Sequence, residues 1–428
     1  MYLPPALLLL LSAQVAPVAY AFAPHRSLAD ATERFHRFAK RHSARFARDL
    51  RVVFQGLAVD QAESDPNASH RVYCVRPDDL SAGFGSNTTS TSPATSLATG
   101  SASASGTSSG AAPTATSPWK LVESHSGKNF FDGFSFWDLA DPTNGAVDYQ
   151  SQEDAESGGL IEINDDGNAV LKVDTTSTIS GNRKSVRITT ENTFTGGIFV
   201  LDAVHMPQGC GSWPAFWSNG PDWPTFGEID IIEGVNDYTN NQATLHTASG
   251  CQIASNSTAQ SLGISSTLIG GTNCAALETS NQGCGMRSDS NTTYGSGFNS
   301  IGGGVYAMVW DDDEIAVYFF PQGSIPQDLT AEVPLPETWG TPMARWPATN
   351  CDLDTFFKNH SIIINTTLCG DWAGSVWTAS GIPGQETSCA QRTGYSTCED
   401  FVHNSGASFG KAYWEISSLK VYQTSRQS

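Results

Sequence analysis

Short apolar runs separated by polar turns fill the chain from residue 119 to its end. Two pairs of runs flank acidic or glycine-containing turns and predict hairpins: Leu160–Ile163 with Val170–Val173, and Val305–Trp310 with Ile315–Phe320. Further strands are predicted at Ser185–Thr189, Gly197–Ala203, Ser361–Asn365 and Glu415–Tyr422. No long amphipathic helix is evident in this region. The pattern therefore predicts an all-β domain at 119–428, built as an antiparallel β-sandwich.

The first 118 residues have a different character. Residues 1–21 contain the apolar run Ala6–Leu11 and end in Ala19-Tyr20-Ala21, a small-x-small sequence. This combination predicts a secretory signal peptide. No later run reaches the ~18 apolar residues of a membrane span. We therefore expect a secreted, extracellular protein without a membrane anchor.

Two further segments precede the predicted domain. Residues 22–80 begin with a basic stretch at 25–51, where Phe and Leu recur at roughly helical spacing around a dibasic Lys40-Arg41. A membrane or nucleic-acid role is conceivable for this stretch, but a propeptide is the simpler interpretation. Residues 81–118 are mostly Ser, Thr, Ala, Gly and Pro. Because such a segment buries little apolar surface, it is predicted to be a flexible, O-glycosylated linker.

Charge and cysteine content narrow the class of protein. The 428 residues carry a formal net charge of −20, which makes nucleic acid or an anionic membrane an unfavourable partner. Nine cysteines indicate an oxidising compartment, and eight of them lie in the predicted domain, enough for four disulfides of undetermined pairing. Six Asn-x-Ser/Thr sequons predict a glycoprotein; they lie at Asn67, Asn87, Asn256, Asn291, Asn359 and Asn365.

The candidate chemistry is concentrated in residues 227–234, which read Gly-Glu-Ile-Asp-Ile-Ile-Glu-Gly. On a strand, Glu228 and Asp230 share a face, whereas Glu233 falls on the opposite one. One extra residue inserted at 231–232, as a β-bulge, would bring Glu233 back into phase. The segment therefore predicts a bulged strand with three acids on one face. Glycoside hydrolysis requires at least two carboxylates that face the sugar, so this strand is a candidate catalytic site. The alternative interpretation is an acidic strand face that is exposed to solvent and has no catalytic role.

The sequence around this motif resembles glycoside hydrolase family 16, in particular the fungal secreted endo-β-1,3(4)-glucanases of laminarinase type. The resemblance is carried by His205–Phe226 before the motif, and by Gly234–Asn236 and Thr244–Thr247 after it. Other matching stretches are Asn129–Trp137, Asp141–Gly145, Ser185–Ile188, Cys369–Gly374 and Ala412–Ile416. The motifs occur in order from about Trp119 to the end of the chain. The resemblance implies a jelly roll with a concave substrate cleft.

The resemblance also implies roles for the three acids. Glu228 corresponds to the nucleophile, Glu233 to the general acid/base, and Asp230 to an assisting residue. Two residues separate Asp230 from Glu233, which is the laminarinase spacing; bacterial lichenases and wall-crosslinking transglycosylases have one. The implied reaction is endo-hydrolysis of β-1,3 and mixed β-1,3/1,4 glucans with retention of configuration.

Five residues near the motif are candidates for substrate binding. Trp213, Trp217 and Trp223 offer flat apolar faces and indole N–H groups that suit pyranose rings. Trp217 is the one of the three that we expect in the core. His246 is expected on the neighbouring strand beside the acids, and its family counterpart lies there. Arg187 either binds sugar hydroxyls or pairs with an acid elsewhere in the sandwich.

Two other functions fit the same sequence. One is a cell-wall glucan transglycosylase, in which an acceptor sugar instead of water releases the glycosyl-enzyme. The other is a glucan-binding protein without turnover, although such a protein would be expected to lack one of the two glutamates. We expect a monomer whose partner is β-glucan, and we expect neither a cofactor nor a metal.

Overall fold

The computed structural model describes residues 117–427. Most of this region is strand, and the described helices are short, the longest being Cys398–Asn404. Eighteen strands are described: β1 Lys120–Ser126, β2 Phe134–Phe136, β3 Val147–Tyr149, β4 Ile161–Ile163, β5 Ala169–Lys172, β6 Arg183–Ser185, β7 Arg187–Thr190, β8 Gly197–His205, β9 Ser212–Asn219, β10 Glu228–Glu233, β11 Gln242–His246, β12 Ser266–Ile269, β13 Cys284–Ser288, β14 Gly304–Trp310, β15 Glu314–Pro321, β16 Ala344–Pro347, β17 Ser361–Leu368 and β18 Tyr413–Gln423.

Within the described residues, eight short α-helices lie in the connections between strands. They are α1 Gln152–Ser157, α2 Ala259–Leu262, α3 Gly295–Ser300, α4 Gln327–Thr330, α5 Leu353–Phe356, α6 Gly370–Ala373, α7 Cys389–Thr393 and α8 Cys398–Asn404. Within residues 117–427 no helix has the length and apolar character needed to cross a membrane.

The strands form two large antiparallel sheets and a small parallel pair, β3 with β6. The front sheet has the order β12-β13-β11-β10-β9-β17-β7-β2. The back sheet has the order β16-β15-β14-β8-β18-β5-β4, with β1 paired to β18. The prediction of an all-β antiparallel sandwich is confirmed. One detail differs, because the single strand predicted at Ser185–Thr189 is divided between β6 and β7.

The main core lies between the two sheets and fixes which face of each strand is internal. Ile229, Ile231 and Ile232 of β10 are fully buried in this core together with Trp414 of β18. The Trp414 indole Nε1 donates a hydrogen bond to the backbone oxygen of Asn365 in β17, so it reaches from the back sheet to the front sheet. Alternation along each strand then places the neighbouring polar residues on the outward faces.

The eight cysteines of the predicted domain form four disulfides, as their even number suggested. The pairs, which the sequence left open, are Cys210–Cys389, Cys251–Cys351, Cys274–Cys284 and Cys369–Cys398. Two pairs tie α7 and α8 to the front sheet: Cys210 and Cys369 lie just before β9 and after β17. The ninth cysteine, Cys74, lies outside the described residues, as do the predicted signal peptide, basic segment and most of the linker.

Of the six sequons, Asn67 and Asn87 lie outside the described residues. Asn256, Asn291 and Asn359 are exposed, as a glycosylated side chain must be. Asn365 differs from these, because it is buried with 6% of its surface exposed, so its side chain is not accessible to a glycan in the folded protein. Its side chain instead belongs to the hydrogen-bond network of the front sheet.

Candidate active site

A β-bulge in the middle of β10 brings the three acids onto one face. Glu228 lies opposite Asn219 of β9, and Glu233 lies opposite Ala215. Five steps along β10 (233 − 228) are therefore matched by four along β9 (219 − 215), with the register shift between Asp230 and Ile232. An even number of steps keeps side chains on the same face. The predicted bulge is confirmed, and all three acids lie on the outward face of the front sheet.

Asn241 satisfies the backbone groups that the bulge releases from the ladder. Its side-chain oxygen accepts a hydrogen bond from the Glu233 backbone N–H at 2.9 Å, and its Nδ2 donates to the Ile231 oxygen at 2.8 Å. β10 pairs with β11 only from Glu228 to Asp230. The Asn241 amide thus replaces pairing with β11 where that ladder stops, and it holds Glu233 in place on this side of β10.

Glu233 lies at one end of the site, beside Trp213. Only 7% of its surface is exposed, and its Oε1 accepts a hydrogen bond from the Trp213 indole Nε1 at 2.9 Å. The next residue, Gly234, packs against the ring of Tyr294, whose hydroxyl donates to the Gly234 oxygen at 2.7 Å. These contacts restrict the carboxyl of Glu233 to one position.

Glu228, Asp230 and His246 form a compact group at the other end. His246 lies directly opposite Glu228 on β11, which confirms its expected position beside the acids. Its Nε2 is 3.3 Å from Oδ2 of Asp230. One ligand-type atom of each of the three residues lies within 4.8 Å of the other two, a spacing that also suits a metal ion. The expectation that the protein uses no metal stays a prediction.

The carboxyl groups at this end hold protons more strongly than ordinary ones. Burial raises the pKa of Glu228 to about 8, with the negative charge of Asp230 as the next cause, while His246 acts in the opposite direction. Burial also raises the pKa of Asp230 to about 8. Because the two groups interact, they titrate as a pair, and with both pKa values raised to about 8 the pair is protonated at neutral pH.

Asp230→Asn is expected to raise the melting temperature at about pH 8 and to weaken its dependence on pH. The pKa of Asp230 is raised from about 4 in the unfolded chain to about 8 in the folded one. Its contribution to stability is therefore present at low pH and is lost as the pH rises between those values, by at most ~1.4 kcal/mol per pH unit. Melting curves of both proteins from about pH 5 to about pH 8 test this. Parallel curves would contradict the assignment of a buried, protonated Asp230.

An arginine between two tryptophans forms the part of the outward face next to the acids. The Arg187 guanidinium carbon is 4.5 Å from the ring centroid of Trp137 and 5.1 Å from that of Trp217. Arg187 is 6% exposed, and its Nε has no hydrogen-bond partner among the described residues. The two rings and the guanidinium hold one another by cation–π contacts. Arg187 thus lies at the site, although no ion pair with an acid is seen for it in the described region.

The prediction that Trp217 belongs to the core is wrong. Trp217 lies opposite Asp230 across the β9–β10 ladder, and cross-strand partners share a face, so its ring is on the outward side. Its Nε1 donates to the side-chain oxygen of Asn365 at 2.8 Å. Asn365 in turn donates to the Tyr149 hydroxyl at 3.1 Å and to Oγ1 of Thr367 at 3.0 Å. Asn365 and Tyr149 were not predicted as site residues.

The other two tryptophans occupy different environments. Trp213 is the most buried of the three, with 4% exposed; it packs edge-on against Trp372, and its indole N–H donates to Glu233. Trp223 is partly exposed in the loop before β10, and its Nε1 has no hydrogen-bond partner within residues 117–427.

A buried histidine anchors that loop. The His360 Nε2 donates to the Phe226 carbonyl oxygen at 2.7 Å, and its Nδ1 accepts from the Ser218 hydroxyl at 2.9 Å. Burial lowers the pKa of His360 to about 3, so the ring is neutral, as these two bonds require. Phe226 is two residues before Glu228. His360 therefore holds the end of the loop that leads into β10, the strand that carries the three acids.

The comparisons of this chain with known proteins agree on one family. The sequence model described as the XgeA-like, catalytic GH16 domain matches residues 134–422. A probable glycosidase of Schizosaccharomyces pombe is 41% identical over 311 residues, which are 71% of this chain and 69% of that protein. The endo-1,3(4)-β-glucanase xgeA of Emericella nidulans is 40% identical over 321 residues, 72% of this chain but only 48% of the relative.

Solved structures give the same result. Laminarinase 16A of Phanerochaete chrysosporium, in complex with β-glucans, is 39% identical with a TM-score of 0.64, over 71% of this chain and 99% of that one. A structure titled as an elongating GH family 16 β-1,3-glucosyltransferase is 41% identical with a TM-score of 0.63, over 71% of this chain and all of that one (100%).

Proposed function

The chain belongs to glycoside hydrolase family 16, and on that premise we propose that it is a secreted endo-hydrolase of β-1,3 and mixed β-1,3/1,4 glucans. One observation carries the proposal: the bulge of β10 places Glu228, Asp230 and Glu233 on one outward face. Beside them on this face lies Arg187, in contact with Trp137 and Trp217. Enzyme relatives named for this activity support it. We propose that the glucan chain lies across this face of the front sheet.

We propose that Glu228 attacks the anomeric carbon while Glu233 protonates the departing glycosidic oxygen. The bond from carbon to the leaving sugar breaks, and an ester between Glu228 and the glucosyl unit forms. Glu233, now ionised, then removes a proton from water, and the resulting hydroxide displaces Glu228 from the anomeric carbon. Two inversions at one carbon give net retention.

The surroundings of each glutamate favour this division of roles. We propose that Asp230, the less exposed of the two acids, keeps its proton while Glu228 is ionised, which a nucleophile requires. The His246 Nε2 lies 3.3 Å from Oδ2 of Asp230, beside this carboxyl. Glu233 is held by the Trp213 N–H in a mostly buried position.

Product analysis tests the proposed function. Hydrolysis of laminarin is expected to release oligosaccharides of intermediate length first, because the enzyme cleaves within chains. Lichenan should be cleaved as well, and xyloglucan should not. Time-resolved NMR is expected to show the β-anomer before the α-anomer appears by mutarotation. Initial release of the α-anomer, or no turnover of either β-1,3-containing glucan, would contradict the proposal.

Transglycosylation is the second candidate, because one similar structure is a glucosyltransferase. The same glycosyl-enzyme serves both reactions, and the outcome depends on whether water or a sugar hydroxyl reaches it. Products longer than the substrate, formed from laminaripentaose at millimolar concentration, would indicate the transferase. Products that are only shorter than the substrate are expected for the hydrolase.

We propose that the catalytic unit needs none of the predicted signal peptide, basic segment or Ser/Thr-rich linker. The first described residues already belong to the folded part, since the Ser117 hydroxyl donates to the Pro334 oxygen at 2.6 Å and Trp119 packs against the back sheet. A fragment of residues 117–428, secreted through an oxidising compartment, is expected to match the full chain in kcat/KM on soluble laminarin. A fragment that folds but is clearly less active would show that the N-terminal region takes part in catalysis.

A further inference from the structure

A groove of about 380 Å³ lies on the outward face of the back sheet, bordered by β4, β5, β18 and the turn before β18. Its volume falls in the ~300–1,000 Å³ range of small-molecule sites. Alternation places it on the opposite side of the sandwich from the three acids. Trp414 points inward to β17, so its neighbours Tyr413 and Glu415 point outward, into the groove.

An aromatic ring with a fixed orientation forms one wall of the groove. Tyr413 stacks on the imidazole of His205, with ring centroids 3.9 Å apart and an interplanar angle of 4°. His205 belongs to β8, on one side of β18, whereas Lys172 of β5 lies opposite Tyr413 on the other side. The imidazole therefore covers one face of the Tyr413 ring, and the other face is directed toward the groove.

His205 is itself held in place. Its Nδ1 donates to the Tyr413 backbone oxygen at 2.9 Å, and its Nε2 accepts from the Asn299 amide at 3.1 Å. Burial lowers the pKa of His205, so the neutral tautomer with these two bonds is favoured. The Tyr413 ring is thus preorganised, so a ligand that stacks on it loses little binding free energy in ordering the ring.

Both hydrogen-bond donors and hydrogen-bond acceptors surround the Tyr413 ring. Oε1 of Glu415 accepts from Asn164 and Asn168 at 2.8 and 2.9 Å, which fixes the carboxylate and leaves its Oε2 without a hydrogen bond from any described residue. The half-exposed pair of Lys172 and Glu162, 2.7 Å apart, supplies donors and acceptors at the rim. Two carboxylates disfavour a phosphate or other anion, and the ammonium group disfavours a free cation. Sugar hydroxyls, which both donate and accept, suit this set.

We propose that this groove is a second glucan-binding site, which takes glucosyl units of a β-glucan and anchors the polymer while the front face cleaves it. The apolar face of one pyranose would stack on Tyr413, with its hydroxyls on Glu415, Glu162 and Lys172. This inference rests on the proposed function for the identity of the polymer, although the groove itself shares no residue with the front site.

The experiment compares binding to a polymeric β-glucan with the hydrolysis of a short oligosaccharide that is too small to occupy both sites. Tyr413→Ala is expected to weaken binding to insoluble β-1,3-glucan by about three- to tenfold, the effect of losing one stacked ring, and to raise the half-saturating polymer concentration similarly. Its kcat/KM on laminaritetraose should stay within about twofold of wild type. Glu162→Ala should act in the same direction, since it removes a carboxylate at the rim of the groove whose described ion pair is with Lys172.

Two controls separate the groove from general effects on the fold. Tyr413→Phe retains the ring and should bind polymer like the wild type, and Lys420→Ala changes the same strand outside the groove and should do the same. Pull-down is performed with the inactive Glu228→Gln protein as well, so that binding is measured without cleavage. Polymer binding that is equal in Tyr413→Ala and Tyr413→Phe would overturn the inference. If instead the wild type binds polymer through Tyr413 but cleaves no glucan, the proposed function fails and the groove stands.

Discussion

Glu228→Gln is expected to lower kcat/KM on laminarin by about 10³-fold or more, without lowering the melting temperature. An amide of the same shape cannot form the glycosyl ester, so the first chemical step is lost. Stability is retained because the pKa of Glu228 is raised to about 8, which means that its ionisation opposes folding and a neutral replacement does not.

A surface variant provides the matched control. Glu153→Gln makes the same chemical change in α1, at an exposed residue in the first turn of the helix, and should leave the rate unchanged. A Glu228→Gln protein that folds and hydrolyses laminarin at more than a few per cent of the wild-type rate would remove Glu228 from the nucleophile role.

Glu233→Gln is expected to give a loss that depends on the leaving group. On laminarin, where the departing sugar needs a proton, kcat/KM should fall by about 10²- to 10⁴-fold. On a 2,4-dinitrophenyl laminaribioside the departing phenolate needs none, so the first step should survive and dinitrophenol should appear in a rapid burst. The amide retains an oxygen that accepts from the Trp213 N–H, so the fold should persist.

The same two substrates distinguish the two glutamates. Glu228→Gln should be inactive on both, whereas Glu233→Gln should be inactive only on laminarin. Equal losses of the Glu233→Gln protein on both substrates would argue that Glu233 positions the substrate and does not transfer the proton.

The arrangement of the acids was accessible from the sequence because it follows from strand geometry. Glu228 and Asp230 are two residues apart, and only an inserted residue brings Glu233 into phase with them; the structure has that bulge between Asp230 and Ile232. The residue that stabilises the bulge was not accessible. Asn241 lies eight residues beyond Glu233, and nothing in its local sequence indicates that its amide reaches back to the Ile231 and Glu233 backbone.

One prediction failed, and one sequon is buried, because a local pattern does not specify the neighbouring strand. Phe216 and Trp217 must face opposite sides of β9, and the sequence alone did not decide which side is internal; Phe216 is the fully buried one. The Asn365 sequon is a three-residue signal that is blind to burial, and this asparagine bonds Trp217, Tyr149 and Thr367. Arg187 was a candidate from the sequence, and its contact with Trp137 depends on strand order, because β2, which ends just before Trp137, pairs with β7.

The division of roles between the two glutamates is tested most directly by azide rescue of two glycine variants on an aryl laminaribioside. In Glu228→Gly, azide occupies the space of the missing carboxylate and attacks from the α side, so the account predicts an α-glycosyl azide. In Glu233→Gly, the glycosyl-enzyme forms first and azide replaces water on the β side, so a β-glycosyl azide is predicted. NMR of the isolated product distinguishes the two. The reversed pair of anomers, or rescue of neither variant, would contradict the assignment of Glu228 as nucleophile and Glu233 as acid/base.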